Sequence, residues 1–253
     1  MIKINTITFT YVTMFISLIL IIFIHELCHL LAGIMVGKKP KVLSIGFWRP
    51  YLSVKIKDIE FRLTPFILGG FVSFTEDFKK STQEVKKLST SKQILIYIAG
   101  CAGNVLTGIL IFIICCLYLF KDLSTLFTTV YSLMYESIMF FYNIMAMLFT
   151  DQAIPLNLDT TIAIINNIIN INNLSVEIFL SSLLMFGVLS FVTGLTNLIP
   201  LPPIDGGHIA QAIIEFIIGR KFSHKVNVAL TYFGFAVVIL FTLATIYLGY
   251  IKL

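Results

Sequence analysis

Four apolar stretches constrain this chain more than any other feature of it. Residues 8–36, 93–120, 178–199 and 226–251 each reach the roughly 17–25 residues that a helix needs to cross a bilayer. The first is broken only by a polar HELCH at 25–29. Charged residues make up 12% of the chain, against about 25% in a soluble globular protein, so lipid is expected to be its main solvent. The fold class expected is an all-α polytopic membrane protein with about four core transmembrane helices, in one membrane-embedded domain over residues 1–253.

The first stretch does not read as a signal peptide. Its apolar run is too long for an h-region, and no small-residue cleavage site precedes HELCH. Cys28, Cys101, Cys115 and Cys116 all lie within apolar stretches, where buried free thiols are the ordinary state; no structural disulfide is expected.

The charge distribution sets an expected orientation. Of the 18 Lys and Arg, 12 fall between residues 37 and 92, and Arg220, Lys221 and Lys225 precede the last stretch. Residues 121–180 hold one Lys beside the acids Asp122, Glu136, Asp151, Asp159 and Glu177. Basic loops stay on the cytoplasmic side, which puts 37–92 and 200–225 inside, and both termini and 121–177 outside. Positive-inside bias and contact with anionic lipid account for the basic loop, so no nucleic-acid partner is expected.

Between the stretches the pattern changes. Gly37 and the Lys-Lys-Pro after it end the first helix. Residues 42–47, 51–63 and 66–74 have β character, and SVKIKDIEFRL alternates apolar and polar residues as a two-faced strand does. Gly69 and Gly70 interrupt the last run, which suggests a bend or a close backbone approach. Residues 75–92 read as an interfacial helix or loop. The stretch 128–150 is apolar but carries Glu136 and Asn143, and one extra crossing there, unless a second followed, would put Asp205 on the opposite side from the end of the first helix. Residues 121–177 are expected as an outer-face segment with amphipathic helices lying on the membrane.

His25-Glu26-Leu27-Cys28-His29 is an H-E-x-x-H motif within a predicted helix. Residues i and i+4 share a helical face, so both imidazoles can reach one tetrahedral zinc, and Glu26 stands where it can take a proton from water beside the metal. The pentapeptide alone is common. Inside a spanning helix it is not, because ionisable residues there are costly and mark functional sites. His25 lies eleven residues before Val36, on the order of 16 Å from the inner helix end. Mutual neutralisation of a buried defect is the plainer alternative for the three groups.

Two histidines need another protein ligand if one position is left for water. His208 and His224 are the only other histidines, and Asp205 is the best-placed acid. It lies in NLIPLPPIDGGH (197–208), where prolines stop the third stretch; unwound backbone is tolerated at membrane depth when it lines a cavity. The simpler role for Asp205 is a helix N-cap. His208 is expected as a neighbour of the site, and His224 as a loop residue.

Four segments in order, HELCH at 25–29, LGGFVSF at 68–74, AGCAGN at 99–104 and NLIPLPPIDGG at 197–207, make the chain resemble the site-2 protease family of intramembrane zinc metalloproteases. The resemblance runs over almost the whole chain. It implies Zn2+ as cofactor, His25, His29 and Asp205 as metal ligands and Glu26 as the catalytic base. Asn104 and Asn197 match family asparagines, and either could donate to the oxyanion or to the substrate backbone. Gly100 to Asn104 is equally a packing pattern between helices, the role expected for Gly100. LGGFVSF, with Gly69 and Gly70, resembles the family's small membrane-associated β-hairpin, whose exposed edge could pair with an unwound substrate.

The chain departs from some members of that family in having no room for a PDZ domain between the second and third spans or for a regulatory domain after 251, so a compact bacterial member is expected, in the cytoplasmic membrane with its active site toward the cytoplasm. The expected partners are the lipid bilayer, a single-pass membrane protein or peptide as substrate (a regulatory precursor, a peptide pheromone or a signal-peptide remnant) and a regulatory membrane protein. Two rival readings are a membrane metal-ion transporter or metal sensor, and an idle scaffold for partner helices. Glu26 argues against the first, since ion passage has no use for a carboxylate between two ligands. The intact motif set argues against the second.

Overall fold

The computed structural model describes residues 6–75, 88–119, 123–146 and 174–251. The first apolar stretch is a single helix, α1 (Thr6–Met35). It stops where Gly37 takes φ +91°, a left-handed conformation that glycine adopts without a Cβ penalty. The Lys38 N–H then reaches the Gly33 carbonyl and the Gly37 N–H the Ile34 carbonyl, both at 2.9 Å, so the last carbonyls of α1 are satisfied as the chain turns away.

The β segments that follow form a four-stranded mixed sheet, where the sequence suggested a hairpin. β1 (Pro40–Phe47), β2 (Leu52–Ile56), β3 (Ile59–Leu63) and β4 (Phe66–Phe74) lie in the order β2-β3-β1-β4. β1 is parallel to β3 and antiparallel to β4, while β2 and β3 form the antiparallel hairpin. The alternation seen in the sequence sorts as expected: Leu52, Val54 and Ile56 sit opposite Leu63, Phe61 and Ile59, and Ser53 and Lys55 sit opposite Arg62 and Glu60. Arg62 donates to Glu60 at 2.7 Å, and that bond holds the half-buried Glu60 carboxyl below its ordinary range. β1 takes the centre because Val42, Leu43 and Ser44 are buried in succession, so both of its faces are covered. β4 is an edge strand.

α2 (Thr90–Leu119), α3 (Leu123–Ala146), α4 (Leu174–Thr196), α5 (Asp205–Ile218) and α6 (His224–Ile251) complete the described elements. Over their described residues, α1, α2 and α4 are long and apolar enough to cross a membrane. Three of the four expected spans are thus met; the fourth falls on α6, a helix of 28 residues, whose continuously described apolar stretch is Lys225–Val237. His224, expected in a loop, is the first residue of α6. The expectations for 76–87 and 147–173 fall outside the described residues.

Packing follows membrane logic. α1 points Phe15, Ile16 and Leu31 outward while Ser17, His25, Glu26 and His29 are buried; on α2, Leu106 and Leu117 face out and Asn104 is buried. Ile111, Phe112, Cys115 and Cys116 of α2 meet Leu180, Leu184 and Phe191 of α4 in one core. Val130 and Leu133 bring α3 into the same core, so α3 packs side-on to the bundle. The four cysteines are free thiols.

Candidate metal centre

The site begins with helical spacing. His25 and His29 lie one turn apart on α1 and point the same way, with rings edge to face and centroids 4.6 Å apart. The third group comes from the far end of the chain. After α4 the backbone unwinds through Asn197–Ile204, and Asp205 is the first residue of α5. The N-cap position falls on Ile204, so Asp205 is the first residue inside the helix and not its cap. Its Oδ2 lies 2.8 Å from His25 Nε2 and 3.1 Å from His29 Nε2, and the two Nε2 atoms are 3.0 Å apart.

Two imidazole nitrogens and a carboxylate oxygen thus converge on one point, and this is the one such His/Cys/Asp/Glu group among the described residues. Ligands about 2.0–2.1 Å from a tetrahedral zinc stand about 3.3 Å from one another. The observed separations are a few tenths of an ångström shorter, so the cluster needs only a slight opening to take the ion. Nitrogen and carboxylate donors suit zinc.

α2 backs the cluster along one face. The His29 Nδ1–H donates to the Ile96 carbonyl at 2.7 Å, which leaves Nε2 free to face the other two groups. Asn104 Nδ2 is 3.3 Å from His25 Nδ1, and the Cys101 thiol is 3.9 Å from Asp205 Oδ2. Gly100 supplies room: a Cβ there would overlap His29 Nε2 and lie 2.8 Å from His25 Cε1. The sequence suggested a helix-packing role for Gly100; what packs against it is the pair of histidine rings. The Ile96 carbonyl was not legible in the sequence, because any residue type can present it.

In front of the cluster lies a cavity of about 870 Å³. Its walls include His25, Glu26, His29, Asn197, Asp205 and His208, with Gly69, Gly70 and Phe71 of β4 opposite. Glu26 is buried beneath β4: a Cβ on Gly70 would lie 2.7 Å from Glu26 Cγ and 2.9 Å from Oε1. Such a Cβ would also lie 2.6 Å from the Ser44 backbone carbonyl of β1, so Gly70→Val is expected to part β4 from β1 and push the Glu26 carboxylate aside while leaving His25, His29 and Asp205 together. Zinc content of the purified variant checks this: it should stay at the wild-type level, and loss of metal would contradict it.

The remaining predicted residues have these places. Asn197 holds the unwound loop together: its side chain donates to the Thr193 carbonyl at 3.0 Å, and its own carbonyl accepts from the Gly206 N–H at 2.7 Å. Asn104 is fully buried behind His25. Gly69, at φ +151°, lines the cavity with Gly70. His208 stands one turn beyond Asp205 and stacks on Tyr97, centroids 5.1 Å apart; burial pushes its pKa down against the pull of Asp205, which favours a neutral ring. It is a wall of the cavity and not a member of the cluster.

Residues 13–241 match Peptidase family M50. The chain is also similar to a provisionally named zinc metalloprotease of Borreliella burgdorferi, at 35% identity over 109 residues that cover 38% of this chain and 25% of that protein. A provisionally named zinc metalloprotease of Campylobacter jejuni is 33% identical over 120 residues, 45% of this chain and 32% of the relative. The chain therefore spans about a quarter to a third of the curated relatives it matches.

Proposed function

This chain belongs to Peptidase family M50, and from that premise we propose that it is an intramembrane zinc metalloendopeptidase that hydrolyses peptide bonds of single-pass membrane proteins or peptides. One observation carries the reading: His25 and His29 from α1 meet Asp205, some 180 residues later, on the wall of a large cavity that Glu26 also lines. The ligands are His25, His29 and Asp205. A zinc ion bound by them supplies a Lewis acid that polarises a carbonyl and makes water more acidic.

The chain's own groups do the rest. Glu26 takes a proton from the attacking water and passes it to the nitrogen of the departing strand, and its place under Gly70 keeps it at the cavity wall. Substrate lies along β4, whose outer edge is unpaired among the described residues; an extended segment there gains main-chain hydrogen bonds and passes over Glu26. A helical substrate has no free carbonyl to offer, so helix-breaking residues near the cut are part of the specificity. Both asparagines line the cavity, and Asn197 is the better placed to donate to substrate, since Asn104 has no exposed surface. The basic segments on either side of the helices favour a cytoplasmic-facing site in a bacterial membrane, with anionic lipid against the basic sheet region.

A metal-transport reading is not favoured: Glu26 and the open strand edge have no role in it. The test uses a tagged reporter whose single apolar span carries a Gly-Pro break. Purified protein in detergent is expected to cleave it, to stop when a strong chelator strips the metal, and to resume when zinc is restored. Cleavage that continues without metal would contradict the reading.

A further inference from the structure

Asn104 is fully buried in the middle of α2, a helix otherwise apolar around it, and its Oδ1 has no hydrogen-bond partner. A buried carbonyl left unpaired costs about 1–3 kcal/mol, so its retention calls for a reason. The amide's other end, Nδ2, lies 3.3 Å from His25 Nδ1. The two ends of a carboxamide are nearly isosteric, and a half-turn about the last side-chain bond exchanges them.

We propose that Asn104 is a positioning residue that fixes the His25 ring for metal binding, its carbonyl oxygen accepting from the Nδ1–H. The inference rests on the metal-site reading above. A histidine that gives Nε2 to a metal must carry its proton on Nδ1, and that proton needs an acceptor. His29 has one in the Ile96 carbonyl. For His25 the neighbouring group at Nδ1 is Asn104, and the amide's unpartnered oxygen is the acceptor it requires. With nitrogen toward Nδ1, as found here, the proton of His25 sits on Nε2, and the Asp205 carboxylate at 2.8 Å accepts it. With oxygen toward Nδ1, Nε2 is a free lone pair and the amide nitrogen takes the unpartnered position, so what the turn gains is the tautomer of His25. The Ser190 hydroxyl donates to the Asn104 backbone carbonyl at 2.9 Å, tying this turn of α2 to α4, so the amide pivots on a fixed base. Ile96, Gly100 and Asn104 recur at four-residue spacing on α2, so one face of that helix serves both histidines: an acceptor for each and room between them.

The test is zinc affinity by chelator competition, measured on full-length protein as wild type, Asn104→Leu and Asn104→Asp, beside the visible spectrum of the cobalt-loaded forms. Leu keeps the volume and removes the acceptor; Asp keeps an acceptor and no donor. Asn104→Leu is expected to bind zinc about 10–100-fold more weakly and to shift the cobalt bands. Asn104→Asp is expected to stay within a few-fold of wild type, with wild-type bands. Unchanged zinc affinity in Asn104→Leu would overturn the proposal. So would loss of zinc by Asn104→Asp, which also decides the matter should the Leu variant not fold. A wild-type protein that takes up no zinc would overturn the site reading itself, and this inference with it.

Discussion

Glu26→Gln is expected to lower the rate of peptide hydrolysis by about 100- to 10,000-fold while zinc stays bound at the wild-type level. Glu26 is not one of the three converging groups, so the metal does not depend on it. Glutamine keeps the size of the side chain, and therefore its fit under Gly70, but can neither accept nor return a proton at neutral pH. The loss falls on kcat, because the walls that hold the substrate are untouched. Single-turnover cleavage of the tagged reporter, with zinc measured on the same sample, reads both quantities. Full activity in the variant would remove Glu26 from the chemistry. Loss of zinc would make it a ligand.

Gly100→Val is expected to abolish zinc binding without touching any ligand. The Cβ alone would overlap His29 Nε2 and crowd His25 Cε1, and valine adds two branches in a helix that leaves it little χ1 freedom. Either both rings swing away or α2 backs off α1; in both cases the nitrogens no longer meet Asp205. Zinc affinity should fall by well over 100-fold, more than removal of one orienting hydrogen bond costs. Leu106→Ala on the same helix, with the parent side chain facing outward, should bind zinc as wild type does. Stoichiometric zinc in Gly100→Val would mean that the histidines are not held against α2 as described.

What the sequence made legible, and what it did not, follows from the range of the interactions. The H-E-x-x-H motif was readable because helical periodicity is local and because three ionisable groups in an apolar span are costly. Asp205 was readable as the acid beside a proline break, and its alternative as an N-cap is set aside because Ile204 holds the cap position and the Asp205 carboxylate lies 2.8 Å from His25. The strands were found by alternation, yet their order was not. A parallel β1–β3 pair with β2 outside it depends on which face of each strand is covered, and no local pattern records that. Gly100 and Asn104 were visible as a small-to-polar pattern with two readings, and only the approach of α1 to α2 decides between them. The Ile96 carbonyl leaves no trace in the residue type. Within 123–146, the turn of Val130 and Leu133 toward the core shared by α2 and α4 is a tertiary fact, since an apolar helix with one Glu reads the same at a surface or in a bundle.

The central claim is that one zinc ion joins the two ends of the chain, and the zinc content of detergent-purified protein tests it most directly. Wild type should carry about one zinc per chain, and Asp205→Ala should carry essentially none, because His25 and His29 alone hold a tetrahedral ion poorly. Zinc retained at the wild-type level in Asp205→Ala would contradict the account, since the third ligand would then lie elsewhere and the meeting of α1 with the start of α5 would not be the metal centre.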